Sequence, residues 1–359
     1  MGRVVLSIDA ELAWGFHDLE DPPQRRIDRA RLGWRRLVEW LDAYEVPATW
    51  AVVGHLFLED CDGHHSSHPA ADDGWFAPDP GGTGADCDRW FGPDLIDRIE
   101  DADVDHEIGC HSFSHVLFDG ETTDRAVAAA ELEACREVAR DRGIDLESFV
   151  FPRNVVGHRD VLVEYDVTCY RGRGPSRWYD RPWLYPVGKF ASYSVGRTPP
   201  PLVEPTVDEG GLVDVPGSLC LFSFEGMARS LVEPIAGDPV VRKAKRGIDA
   251  AAAANGDEIC HLWLHPNDLT TPRNVRRLRR ILEYLDQRRR ETDLRVETMA
   301  EVARNVLDAP AEPATERDLG ERGFELEPEP EPDPEAPLVR SDRGQSDADA
   351  PVASELRNR

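Results

Sequence analysis

At 359 residues and 40% hydrophobic content, the chain is long enough for one large α/β domain or two smaller ones. Aspartate and glutamate number 69 against 42 basic residues, a net charge of −27, which excludes the basic footprint of a nucleic-acid binder. Only three basic residues are lysine (Lys189, Lys243 and Lys245); this balance resembles the acid-rich surfaces of proteins from very salty cytoplasms, where salt screens self-repulsion.

In chain order, the apolar run Val4 to Ile8 predicts a first strand. A helix over about Asp28 to Tyr44 follows, with Leu32, Trp34, Leu37, Val38, Trp40 and Leu41 as its buried stripe. Thr49 to Val53 predicts a second strand and Glu107 to Cys110 a third, followed by a helix over about Thr123 to Arg142. Phe149 to Phe151, Val167 to Tyr170, Leu219 to Phe222 and Glu258 to Leu264 supply later strands. Helices over Pro272 to about Arg289 and Thr298 to Leu307 close the body. Such alternation implies a mostly parallel sheet, either open or rolled into a barrel. The stretch from about Cys61 to Trp90, rich in Gly, Pro, Asp and His, interrupts it as a long surface excursion.

From Ala309 onward acids and prolines dominate, with too little apolar surface to offset the entropy of ordering. Residues 1–308 are therefore expected to form the folded body and 309–359 an acidic, proline-rich disordered tail. The seven cysteines are odd in number and lack CxxC spacing, as in a chain with reduced thiols. Met1-Gly2-Arg3-Val4 shows no signal-peptide pattern, and no apolar stretch approaches the roughly 18–20 residues that span a bilayer. A soluble, cytoplasmic protein is expected.

Polar clusters recur where strands end. Asp9 and Glu11 follow the first strand and, two apart, can face one way. His111 and His115 follow the third; four apart, they would share one side of a helical turn. Pro152-Arg153-Asn154 follows the fourth, and His265-Pro266-Asn267-Asp268 follows the last long apolar strand. In barrels and open parallel sheets, sites form at the carboxyl ends of strands. Neutral imidazole suits zinc, and an acid can complete a three-ligand site with a position left for water. The pattern points to a metal-dependent hydrolase. Cys61, His64, His65, His68 and Cys87 could also serve a second, structural zinc, but their spacing fits no zinc signature, and a solvated loop is expected.

His111-Ser112-Phe113-Ser114-His115 matches the H-[ST]-x-x-H motif of the polysaccharide deacetylase family, the carbohydrate esterases with a chitooligosaccharide-deacetylase homology domain. Ser7-Ile8-Asp9-Ala10-Glu11 is similar to that family's first motif, Phe151-Pro152-Arg153-Asn154 to its third, and Leu262-Trp263-Leu264-His265 to its last. The order is the family's, over roughly residues 3–308. The resemblance implies a distorted (β/α) barrel of seven or eight strands that removes acetyl groups from an N-acetylated sugar or polysaccharide precursor, with a divalent metal, zinc by type. It implies Glu11, His111 and His115 as metal ligands and Asp9 as the base toward the attacking water. His265 would be the acid toward the departing amine, and Arg153 would orient Asp9. Ala10 separates acids that are adjacent in the family. Trp263 stands where a pocket leucine is usual, and Asp214 is the candidate partner for His265. An amidohydrolase on a non-sugar amide, or a non-catalytic carbohydrate-binding relative, stays open beside this reading.

Overall fold

The computed structural model describes residues 2–82, 86–178, 180–181, 185–194, 199–254 and 256–309. Residues 310–359, expected to be a disordered tail, lie outside the described residues. Among the described residues, ten strands form one sheet. They are β1 (Arg3–Ala10), β2 (Thr49–Val52), β3 (Glu107–Cys110), β4 (Ser148–Val150), β5 (Cys169–Arg171), β6 (Thr206–Val207), β7 (Val213–Asp214), β8 (Leu219–Cys220), β9 (Ile259–Leu264) and β10 (Arg295–Glu297). The order is β6-β7-β5-β4-β3-β2-β1-β9-β8, with β10 added to β1, and all pairs are parallel except β6 with β7.

This is the distorted (β/α) barrel that the motif resemblance implies, left incomplete: no pairing joins β6 to β8 among the described residues. The count exceeds seven or eight because β6, β7 and β10 are only two or three residues long. A run that short carries no alternation to read, and β8, equally short, is announced by the apolar stretch Leu219 to Phe222 around it. The helices Pro239–Ala253 and Pro93–Glu100 lie outside the sequence expectation, although both are amphipathic. Local signals mark them too: Pro239 stands at the first position of its helix and Asp238 caps it by accepting from the Val240 and Val241 amides. Within the helix Gln24–Ala43, Trp34, Leu37, Val38 and Leu41 are buried as expected, but Leu32 is 43% exposed, since it falls off the stripe that these residues define.

Period-2 alternation along β1 builds the interior in layers. Val4, Leu6, Ile8 and Ala10 face the core shared with the surrounding helices. Val5 faces inward with Ala51, Val150, Cys169, Val213 and Ile259, a dry floor closed by Met299 and Val302 of the helix Met299–Leu307. One step up, Ser7 meets His261 at 2.8 Å and Arg171 at 3.0 Å. The next inward position is Asp9, and Glu11 follows just past the strand. Chemistry therefore sits on the carboxyl end of the sheet, above a hydrophobic plug. Among the described residues no helix is long and apolar enough to cross a membrane.

Candidate metal centre and active site

Glu11, His111 and His115 converge, their potential ligand atoms all within 4.8 Å of one another and all three residues buried. Glu11 Oε2 lies 3.2 Å from His115 Nε2 and 3.7 Å from His111 Nε2. A tetrahedral zinc with bonds of about 2.0–2.2 Å to nitrogen and oxygen spaces its ligands by roughly 3.3–3.5 Å. The separations match that spacing. His111 Nδ1 donates to the Val150 carbonyl at 2.7 Å, which fixes the neutral tautomer with the Nε2 lone pair turned toward Glu11. The residues fit a divalent cation with three protein ligands.

The two histidines do not meet on a helical turn. Residues 111–115 form a loop in which Ser112 and His115 adopt φ of 59° and 63°, and this curl brings the rings to 5.1 Å. Left-handed backbone at two non-glycine positions costs about 1–3 kcal/mol each and needs surrounding structure to hold it. Buried Glu131, on the helix Arg125–Arg140, supplies that hold by accepting from the Ser114 amide at 2.8 Å and its hydroxyl at 2.5 Å. From the other side, the Trp75 indole donates to the Ser114 carbonyl at 3.1 Å.

Asp9 stands beside the trio. Arg171, at the end of β5, grips both its oxygens, Nη1 to Oδ1 at 2.6 Å and Nη2 to Oδ2 at 2.7 Å. Burial pushes the Asp9 pKa up, but the Arg171 guanidinium outweighs it and holds the carboxyl below its ordinary range. Trp263 covers the guanidinium face, 4.5 Å from ring centre to Cζ, so the residue that replaces the family's pocket leucine packs on the cation that holds Asp9. His265 Nε2 lies 3.6 Å from Asp9 Oδ2, and His265 Nδ1 pairs with Asp268 at 3.1 Å. Burial opposes charge on this ring, yet Glu11, Asp268 and Asp9 together raise the His265 pKa to about 9.

Two sequence expectations are corrected here. Arg153 does not reach Asp9. The backbone turns left-handed at Arg153 and Asn154 (φ 52° and 56°), which sends Arg153 outward to Asp18 at 2.5 Å and brings the Asn154 carbonyl oxygen of its side chain to Arg171 at 3.1 Å. Asp214 packs against Gly172 near Tyr170, and the carboxylate on His265 is that of Asp268. Sequence reading also passed over Asn267, whose amide donates to Glu11 Oε1 at 3.0 Å, and Arg26, which binds Asn267 and Asp268 together. The signal was present: Asn267 and Asp268 belong to the polar cluster that follows β9. Beside the Arg171–Trp263 pair opens a groove of about 480 Å³, lined by Asn154, Arg173, Arg177, Ser218, Cys220 and Trp263 among others.

Residues 27–153 match the family model described as polysaccharide deacetylase. Among curated proteins, no sequence matches the chain. Among solved structures, a polysaccharide deacetylase candidate from Mycobacterium smegmatis is similar at 17% identity and a TM-score of 0.53, over 85% of this chain and 90% of that one. PuuE allantoinase is similar at 12% identity and a TM-score of 0.50, over 84% of this chain and 89% of that one. The two likenesses establish the fold. The resemblance that the motifs carry, to a divergent form of the polysaccharide deacetylases, holds.

Proposed function

We propose that this chain, a divergent relative of the polysaccharide deacetylases, is a metal-dependent hydrolase that removes acetyl groups from an N-acetylated sugar or polysaccharide precursor. One juxtaposition carries the reading: a buried Glu–His–His trio and an Asp9–His265 pair share one rim of the sheet. An amide resists water because hydroxide is scarce at neutral pH and an amine leaves poorly. A divalent cation held by Glu11, His111 and His115 would supply a more acidic water and stabilise charge on the carbonyl oxygen. Zinc suits that donor set.

Asp9, kept ionised by Arg171, takes a proton from the attacking water. His265, protonated and fixed by Asp268, gives a proton to the departing nitrogen. The carbon–nitrogen bond breaks, leaving acetate and a free amine. A positioned base and acid each contribute about 10²–10⁴ in rate. Acetate release from a panel of N-acetylated sugars by zinc-loaded protein, abolished in His111→Ala and in Asp9→Asn, is the expected result. Binding without turnover that Asp9→Asn leaves unchanged would instead identify a carbohydrate-binding relative.

Trp263 motivates a second arm of that panel. Because a large indole occupies the position of the family's pocket leucine, the acyl pocket is built differently, and non-sugar amides belong among the substrates tried. Turnover confined to that arm would make the chain an amidohydrolase of the same fold.

A further inference from the structure

We propose that the chain binds a second metal ion, of zinc type, through His55, Cys61, His65 and Asp79. The ligand atoms of these four residues lie within 4.8 Å of one another. His55 Nε2 and His65 Nε2 are 3.3 Å apart, and Cys61 Sγ is 3.5 Å from His55 Nε2. Asp79 Oδ2 lies 2.9 Å from His55, 2.8 Å from His65 and 3.2 Å from Cys61. Zinc bonds of about 2.0–2.3 Å set tetrahedral edges of roughly 3.3–3.7 Å. His55 already stands at such an edge from both His65 and the sulfur, and the carboxylate needs only a few tenths of an ångström. The side chains of His55 and Asp79 have no exposed area, while His65 is 13% exposed and Cys61 is half-buried.

The His55 tautomer points the same way. Its Nδ1 faces the Trp90 carbonyl at 3.3 Å, an acceptor only, so Nδ1 carries hydrogen. In the neutral ring Nε2 is then a bare lone pair aimed at a carboxylate oxygen, a second imidazole nitrogen and a sulfur. Without a cation the Cys61 thiol donates to Asp79 Oδ2, and a metal ion at the centre would replace that hydrogen with a bond to all four atoms. The imidazole–carbonyl bond is also the usual outer support of a metal-bound histidine. Two further bonds set the other ligands: the Gly63 amide donates to Cys61 Sγ at 3.4 Å, and the Gly81 amide to Asp79 Oδ1 at 3.0 Å, which leaves Oδ2 free to face the centre.

The donor set of one thiolate, two imidazoles and one carboxylate is closed, with no position left for water, as in structural zinc sites. Its place suggests what it secures. His55 follows β2, while Cys61, His65 and Asp79 come from the Cys61–Trp90 excursion. His55 and His65 both pack on Phe113, at 5.5 and 5.7 Å, inside the His111–His115 loop. The cation clasps the excursion onto the loop that presents the two histidines of the first site. Cys61 and His65 belong to the cysteine and histidine cluster noted in the sequence; His55 and Asp79 complete it in place of His64, His68 and Cys87.

The test uses the full chain, loaded with zinc and dialysed against a weak chelator, with metal measured by mass spectrometry. Two equivalents per chain are expected in the wild type and one in Cys61→Ala/His65→Ala. One is also expected in His111→Ala/His115→Ala, so a failure of either site shows separately. Loading with cobalt(II) adds a spectroscopic readout that can already fail in the wild type. Only this site contains sulfur, so a thiolate-to-cobalt charge-transfer band must appear, survive His111→Ala/His115→Ala, and vanish in Cys61→Ser. Absence of that band in the wild type, or unchanged metal content in Cys61→Ala/His65→Ala, would overturn the proposal.

Discussion

Arg171 and Asp9 form a bidentate, almost solvent-free ion pair, with side chains 1% and 4% exposed. Removing one partner of such a pair leaves a buried charge uncompensated, at a typical cost of about 3–5 kcal/mol. Arg171→Met should therefore lower stability by that order, measured by urea denaturation, and abolish turnover. Combining it with Asp9→Asn should recover much of the stability and none of the activity. Arg153→Ala, by contrast, loses only a partly exposed pair with Asp18 and should change stability by less than about 1 kcal/mol. An Arg153→Ala enzyme as impaired as Arg171→Met would reverse this assignment.

Asn267 is the outer support of the Glu11 carboxylate. Mutation of such supports typically weakens metal affinity by about 10–100-fold. Asn267→Ala should bind zinc more weakly by that factor in competition with a chromophoric chelator, while circular dichroism stays unchanged. Equal affinity in wild type and variant would mean that Glu11 is oriented by the histidines alone.

Asp214 gives the stability a pH dependence of known sign. Burial, above all, raises its pKa to about 6, and its Oδ1 is buried without a hydrogen-bond partner. The folded state thus holds the proton more tightly than the unfolded chain. The contribution is fully present below the unfolded value of about 4 and is lost as pH rises through about 6. Asp214→Asn, which stays neutral, should melt at a higher temperature than wild type at pH 8, with the gap closing toward pH 4. A gap that is constant across that range would rule out the titration.

The net charge of −27 repels itself. Raising KCl from about 0.1 M to about 1 M shortens the screening length from about 10 Å to about 3 Å. Thermal unfolding should shift upward over that range, by more than in a neutral protein of similar size. A lower midpoint at high salt would show that the surface ion pairs of Arg125, Arg142 and Arg304, which salt weakens, outweigh the repulsion that it relieves.

The sheet was legible wherever a strand carried an apolar run: β1, β2, β3, β4, β5, β8 and β9 fall within two residues of their expected bounds. Glu11 and His111 were legible because each stands directly behind such a strand, and His115 because it follows His111 in the H-x-x-x-H spacing. Arg171 was not, although it too ends a strand, because arginine makes structural and catalytic ion pairs with equal ease. Choosing Arg153 followed the order of motifs, and only the left-handed turn at Arg153 and Asn154 shows which guanidinium faces inward. His55 was hidden for a related reason. Its partners Cys61, His65 and Asp79 are spread over a segment without periodicity, and only folding that segment back gathers them.

The position of β1 bears on how the protein comes into being. Its upper half pairs with β2, but Arg3 to Ile8 lean on β9 and Arg3 to Val5 also on β10, so Arg3 to Val5 find their partners at residues 259–261 and 295–297. Loops that long close slowly, and a nascent chain emerges at about 5–20 residues per second. The lower end of β1 therefore stays unpaired until β9 and β10, the last strands of the described sheet, have emerged.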